Sequence, residues 1–308
     1  MNPVFEYKKI KYRFLKIWEK NWIIGLYKKK NNLYISEGST CLNYSQQCFE
    51  GIKSFKNKKI FNFKINLNSY RFQKSSRSIL SPIIKIFDFI KNIKILNILN
   101  YKYFPNFKIG FLYLRPLLIG IGPNIGVKTS LNFCYLIFVT PFFFKKVNII
   151  IKSFLIKRTL NKKGHLKIGS NYVFNIINNF INKKYKINDY IHVNNNNFEE
   201  IGTSNIILIY NKKMFSPLNK NILNGINKIS YLFFLKFKKK YFRKNICFNI
   251  VNNCKIMFCC GTAANFKLIN IIIYKNKIVK FKLYFFFYLN FFLKKIQNCF
   301  YKSKKWLL

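Results

Sequence analysis

Acidic side chains are scarce in this chain: Asp and Glu together number 8, against 56 Lys and Arg, in 308 residues. Histidine is scarcer still, with only His165 and His192. Neither stands in a triad-like context, so both read as surface or strand histidines, and a histidine relay or a carboxylate pair has little material to draw on. The 8 cysteines have no Cys-x-x-Cys and no His-paired spacing, which argues against zinc, and no metal is expected. Cys259-Cys260 reads as a reduced pair in a strand, because a disulfide between neighbours is strained. Long apolar runs are also missing. The longest uncharged one, residues 129–144, contains Pro141 and falls short of the roughly 20 residues of a membrane span. Residues 283–293 are shorter again and read as a buried amphipathic helix. With no convincing secretory segment, a reduced, cytoplasmic chain without a membrane partner is the simplest reading.

What is present is apolar bulk and positive charge. Hydrophobic residues make up 50% of the chain, enough at this length for a real core despite a formal net charge of +48. That charge raises the prospect of a nucleic-acid or membrane-surface partner. Two features weigh against it. The only arginines are at positions 13, 71, 77, 115, 158 and 243, and arginine is the residue whose planar fork suits phosphate and base recognition. The lysines are spread along the whole chain and not gathered on a tail or stripe. Lys, Asn, Ile, Phe and Tyr are all in excess and all have A- and T-rich codons, so genome bias accounts for them better than ligand selection. No specific nucleic-acid partner is expected; a basic binding protein stays as the contrary class.

Residues 61–64 alternate like a strand, and 108–119 and 134–140 are strand-like apolar runs. Val173, Ile176, Ile177, Phe180 and Ile181 recur at helical spacing, with Ser170 or Asn171 placed to cap. Helical patterns also cover 67–80, 84–99, 225–235 and 283–300, and the Asn run 194–197 reads as a turn between strands. The strand ending at Thr140, followed by Pro141 and an aromatic, basic stretch, suggests a boundary. The expectation is a smaller α/β domain over 1–140, a linker over 141–146 and a larger domain over 147–308, with a ligand cleft between the two. Gly120-Ile121-Gly122-Pro123-Asn124-Ile125-Gly126 superficially suggests a dinucleotide loop, but the spacing is off by one and Pro123 stands where a helix should begin, so it reads as a turn-rich loop.

Against this background Lys167, leading into the 173–181 helix, and Glu200, about thirty residues later, stand out because carboxylates are so rare. Other blocks follow in order: Tyr44 to Gly51 (Tyr-x-x-x-x-Phe-Glu-Gly), Asn66 to Arg71, Tyr113-Leu114-Arg115-Pro116, Gly122 to Val127, Lys167 to Tyr172, Glu200 to Asn205, Leu223 to Asn227 and Gly261-Thr262-Ala263. Ile296-Gln297 and Trp306 close the series. Taken together they resemble the branched-chain amino-acid aminotransferases, pyridoxal 5'-phosphate (PLP) enzymes of class IV, from about residue 15 onward.

The resemblance implies a mixed α/β, two-domain PLP fold type IV, similar to D-amino-acid aminotransferase, with a pseudo-barrel in the larger domain. PLP chemistry needs an amine for the cofactor aldehyde, an acid facing the ring nitrogen and donors for the phosphate. By resemblance, Lys167 is the cofactor-bearing lysine and proton carrier, Glu200 faces the ring nitrogen and Tyr172 bonds the phenolic oxygen. Arg71, the N–H groups of Ile226 and Asn227, and Thr262 hold the phosphate, as a helix start can. Tyr113, Thr262 and Ala263 receive the substrate α-carboxylate, and Thr203 lies in the same substrate region. Arg115 meets the distal carboxylate of glutamate or 2-oxoglutarate. Tyr44 and Phe49 line the aliphatic pocket, with Ile125 and Val127 reaching in from a partner subunit, so a homodimer, or an oligomer of dimers, is implied. The implied reaction is ping-pong transfer of an amino group between leucine, isoleucine or valine and 2-oxoglutarate. Discrimination among the three should be slight, since a methylene is worth only about 1–3 kcal/mol. Ser170, Asn224 and Asn227 depart from the usual glycine, proline and threonine, and Ala264 and Lys267 stand in the region where some relatives carry a redox cysteine pair. D-amino-acid aminotransferase and aminodeoxychorismate lyase are the alternatives within the fold.

Overall fold

The computed structural model describes residues 6–29, 32–144, 150–154, 163–184, 187–211, 213–236, 241–262, 265–275 and 277–281. The helix expected over 283–300, and Ala263, Ile296, Gln297 and Trp306, lie outside them. Two compact units emerge. The first holds the described residues of Met1–Lys145 together with Leu166–Ser170; the second holds those of Lys146–His165 and Asn171–Ser303. Lys167, expected in the later domain, thus groups with the first unit.

In the first unit the strands are β1 (Tyr12–Glu19), β2 (Asn21–Trp22) and β3 (Leu26–Lys29), then, after the short helix α1 (Thr40–Asn43), β4 (Gln47–Phe49), β5 (Ile52–Lys56) and β6 (Ile60–Asn62). Helices α2 (Ile65–Ser78) and α3 (Ile86–Leu99) follow, then the long strands β7 (Gly110–Gly120) and β8 (Asn132–Phe143). The sheet runs β2-β1-β8-β7-β5-β6, with β3 on β1 and β4 on β7. β7 is central, which is why its sequence is apolar on both faces, Arg115 apart, without alternation. Phe89, Ile93 and Leu96 recur at helical spacing on α3 and pack with Phe72 of α2 over Leu112, Leu114 and Tyr135 of the sheet. The alternation read over 61–64 stops early: β6 ends at Asn62, and Lys64 turns left-handed (φ 50°) to open α2.

Two prolines test the sheet. The expected end of the strand at Thr140 is not found: β8 runs through Pro141 to Phe143, and among the described residues its pairing with β1 has ceased at Ile137, so Pro141 breaks no bond of that ladder. Pro116 lies within β7, opposite the gap between β4 and β5. There the Glu50 N–H donates to the Pro116 carbonyl (2.9 Å), so the interruption is shared by both strands.

The second unit contains β9 (Ile150–Phe154), α4 (Val173–Lys184), β10 (Asp189–Asn194), β11 (Asn197–Ile201), β12 (Ser204–Tyr210), β13 (Lys213–Pro217), α5 (Ile226–Lys236), β14 (Tyr241–Lys244), α6 (Phe248–Asn252), β15 (Ile256–Gly261), β16 (Asn265–Leu268), β17 (Ile271–Tyr274) and β18 (Lys277–Lys280). Its mixed sheet runs β14-β13-β12-β11-β10-β9-β17-β18 and branches where β12 also pairs with β15. A 3-10 turn, Gly169–Tyr172, precedes α4, so Ser170 and Asn171 sit inside a helical turn; the Asn171 amide donates to the Lys163 carbonyl. Cys259 and Cys260 carry free thiols and pack in separate apolar clusters, as strand alternation requires. His192 is buried with Nε2 3.2 Å from the Gly202 carbonyl, and His165 Nδ1 is 3.2 Å from that of Lys220. The 120–126 segment leaves β7 through turns and forms no helix. Among the described residues no helix is long and apolar enough to cross a membrane.

Candidate active site

In the first unit the lysine segment meets β4 through an isolated bridge. Leu166 and Ile168 are buried in the core, Ile168 bridges Cys48, and the Phe49 N–H donates to the Lys167 carbonyl (3.1 Å). With its neighbours turned inward, alternation sends the Lys167 side chain to the other face, where Nζ lies 4.6 Å from the Phe49 ring centre. The Lys167 N–H donates to Ser75 Oγ on α2 (3.0 Å). Gly169 follows because a Cβ there would meet the Gln47 amide at 2.6 Å.

Phe49 also receives Arg115, whose Cζ is 4.7 Å from the ring centre. Arg115 donates through Nε (3.0 Å) and Nη2 (2.7 Å) to the hydroxyl of Tyr113, a side chain buried in β7. Lys167, Phe49, Tyr113 and Arg115 therefore form one group. Gly51 accommodates it, since a Cβ would lie 2.4 Å from the Tyr113 hydroxyl. Tyr44 is 41% exposed and donates its hydroxyl hydrogen to the Ile125 carbonyl. Ile125 and Val127 are 92% and 88% exposed.

Arg71, expected to hold phosphate, forks onto Glu50: Nε to Oε1 at 2.6 Å and Nη2 to Oε2 at 2.8 Å. The Asn68 amide adds a third donor to Oε2 at 2.8 Å. Burial pushes the Glu50 carboxyl up, but the Arg71 charge and hydrogen bonds, the Lys167 charge and the Asn68 bond together hold it below the usual carboxylate range. In the sequence Glu50 is only one letter of the Tyr-x-x-x-x-Phe-Glu-Gly block. The signal was available, since a carboxylate is a rare residue here.

In the second unit Glu200 is buried on β11, and Oε1 accepts from the Asn205 amide at 2.6 Å. The same amide donates to the Leu223 carbonyl (2.8 Å), tying the acid to the loop that enters α5. That loop seats against Asn205 closely: a Cβ on Gly225 would lie 1.9 Å from Asn205 Oδ1. Ile226 and Asn227 open α5 and are buried, and the Asn227 amide reaches the Gly261 carbonyl at 2.7 Å, just before Thr262. Gly202 takes a left-handed φ of 50° in the β11–β12 turn, where a Cβ would meet the Asp189 carboxylate at 2.3 Å. Thr203 in that turn is exposed; Tyr172 ends the 3-10 turn before α4, partly buried.

The first unit contains an amine and an arginine, and the second a buried hydrogen-bonded carboxylate and a helix start with buried leading residues. Each is a residue type suited to a cofactor with an aldehyde, a basic ring nitrogen and a phosphate. No protein-family model matches the chain. It is 30% identical to the branched-chain-amino-acid aminotransferase of Helicobacter pylori over 300 residues, covering 91% of this chain and 88% of that protein. It is 32% identical to the enzyme of the same name from Haemophilus influenzae over 254 residues, covering 76% and 74%. Its fold resembles that of the branched-chain aminotransferase from the thermophilic archaeon Thermoproteus uzoniensis, solved with norvaline, with TM-score 0.76, 18% identity and coverage of 96% and 97%. That likeness speaks for the fold alone, the mixed α/β architecture of PLP fold type IV. Relatives at this identity across most of their length decide the matter: the chain belongs to the branched-chain-amino-acid aminotransferases, a family of PLP-dependent enzymes.

Proposed function

We propose that this protein moves an amino group between L-leucine, L-isoleucine or L-valine and 2-oxoglutarate by a ping-pong cycle, as a homodimer or an oligomer of dimers in the cytoplasm. The observation that carries the reading is the grouping of Lys167, Phe49, Tyr113 and Arg115. It joins an amine, an aromatic wall and a cation held at a defined place, which is what a pocket for both aliphatic and acidic substrates needs.

PLP, when bound, supplies the electron-withdrawing ring that acidifies the substrate Cα–H. The Lys167 amine would hold the cofactor aldehyde and serve as the base for the Cα proton. Glu200, fixed by Asn205, would keep the ring nitrogen protonated. Tyr172 would donate to the phenolic oxygen. Arg71, the N–H groups of Ile226 and Asn227, and Thr262 would hold the phosphate. Tyr113, with the 262–263 turn beside Thr203, orients the substrate carboxylate, and Arg115 pairs with the distal carboxylate of glutamate. Tyr44 and Phe49 form the aliphatic wall. The exposure of Ile125 and Val127 supports a role for them in a partner's pocket.

Purified protein should be yellow and turn over L-leucine with 2-oxoglutarate, but neither D-alanine nor aminodeoxychorismate. Lys167→Ala should lose the colour and the activity; full activity in that variant would overturn the assignment. Arg115→Ala should raise KM for 2-oxoglutarate by about tenfold or more while the half-reaction with leucine changes little, since only the acidic substrate loses a charged partner.

A further inference from the structure

Asn227 stands where the family usually has threonine, and the loss of a hydroxyl beside a phosphate reads at first as a defect. Its side chain does something else. Asn227 is the second residue of α5 and only 8% exposed, and its Nδ2 donates to the Gly261 carbonyl at 2.7 Å. The peptide bond is planar and trans, so fixing the Gly261 C=O also fixes the direction of the Thr262 N–H on the other side of the same plane. One side-chain bond thereby sets the orientation of the turn that ends β15. The other end is anchored as well. α5 is entered through Gly225, seated against Asn205, and Asn205 itself holds Glu200 and the Leu223 carbonyl. A connected path of bonds and close contacts runs from Glu200 through Asn205 and the α5 entry to Asn227, Gly261 and Thr262.

We infer that Asn227 is a positioning residue whose amide locks the Gly261–Thr262 turn to the start of α5, holding both phosphate-binding segments as one cradle before the cofactor arrives. This rests on the PLP reading of the site. A threonine places a short hydroxyl here; the longer asparagine exchanges that direct donor for a tether that presets two backbone donors. The gain is preorganisation, in which the order needed for binding is present beforehand.

The test compares PLP with pyridoxal, which lacks the phosphate, by equilibrium binding to wild-type apoprotein and to Asn227→Ala and Asn227→Ser. Asn227→Ala should weaken PLP binding by roughly tenfold, the scale of one buried hydrogen bond, and leave pyridoxal binding within about twofold. Asn227→Ser, with a shorter donor, should fall between and serves if the alanine variant does not fold. Equal losses for PLP and pyridoxal would reveal a merely structural residue and overturn the inference, as would unchanged PLP affinity in both variants. Failure of wild-type protein to bind PLP at all would instead overturn the cofactor reading itself, and this inference with it.

Discussion

Asp189, at the start of β10, has its carboxyl pushed from 3.8 up to about 6 by burial, partly offset by the Tyr190 N–H and the Lys267 charge. A folded-state pKa above the unfolded one means that the neutral form is favoured by folding. The contribution to stability is full below about 3.8 and is lost as pH rises through about 6. Asp189→Asn keeps an acceptor for the Tyr190 N–H and cannot ionise. It should raise Tm above pH 6 and change little near pH 4; an equal effect at both would refute the burial argument. Glu50 has the opposite sign. Its pKa lies below the usual 4.5, so what it contributes is present above that value and lost as pH falls further. Gly202 faces the same Asp189 carboxylate with a left-handed φ. Gly202→Ala should cost about 1–3 kcal/mol in urea denaturation through backbone strain, with the clash added to it.

The interruption between β4 and β5 belongs to the scale of elements. It places Glu50 beneath α2, where Arg71 and Asn68, three residues apart on one helix face, can both reach it. Removing the charge takes the Glu50 anion away from a guanidinium whose side chain is only 11% exposed. Glu50→Gln should therefore destabilise the first unit by about 3–5 kcal/mol at pH 7, and the gap from wild type should narrow in acid as Glu50 itself protonates. Much of this scale was legible in sequence. The spacing in α3 and the largely apolar run of β7 declare themselves, and the scarcity of acids makes Glu200 conspicuous. What escaped depended on distant partners. Pro141 reads as a breaker until β1 is known to have ended, and the Asn227 tether depends on a carbonyl 34 residues away.

A net charge of +48 opposes any compact state of the whole chain. Few carboxylates are present to offset it, so screening should help: Tm should rise between low and moderate salt, by more than is usual for a chain near neutrality. Cofactor binding adds to stability by mass action, and the loaded protein should melt above the apoprotein; identical melting points would contradict a phosphate-clamped site. The return of Leu166–Ser170 to the first unit has a consequence for how the molecule is made. A chain leaves the ribosome from its N-terminus, so a nascent chain arrested at residue 145 has every strand of the first sheet but lacks Leu166 and Ile168 of its core. Such a chain should be digested readily by protease, whereas one extended well beyond residue 170 should resist. The segment that brings the reactive lysine also completes the first unit's core, so in the growing polypeptide the first unit matures only once the lysine has been translated.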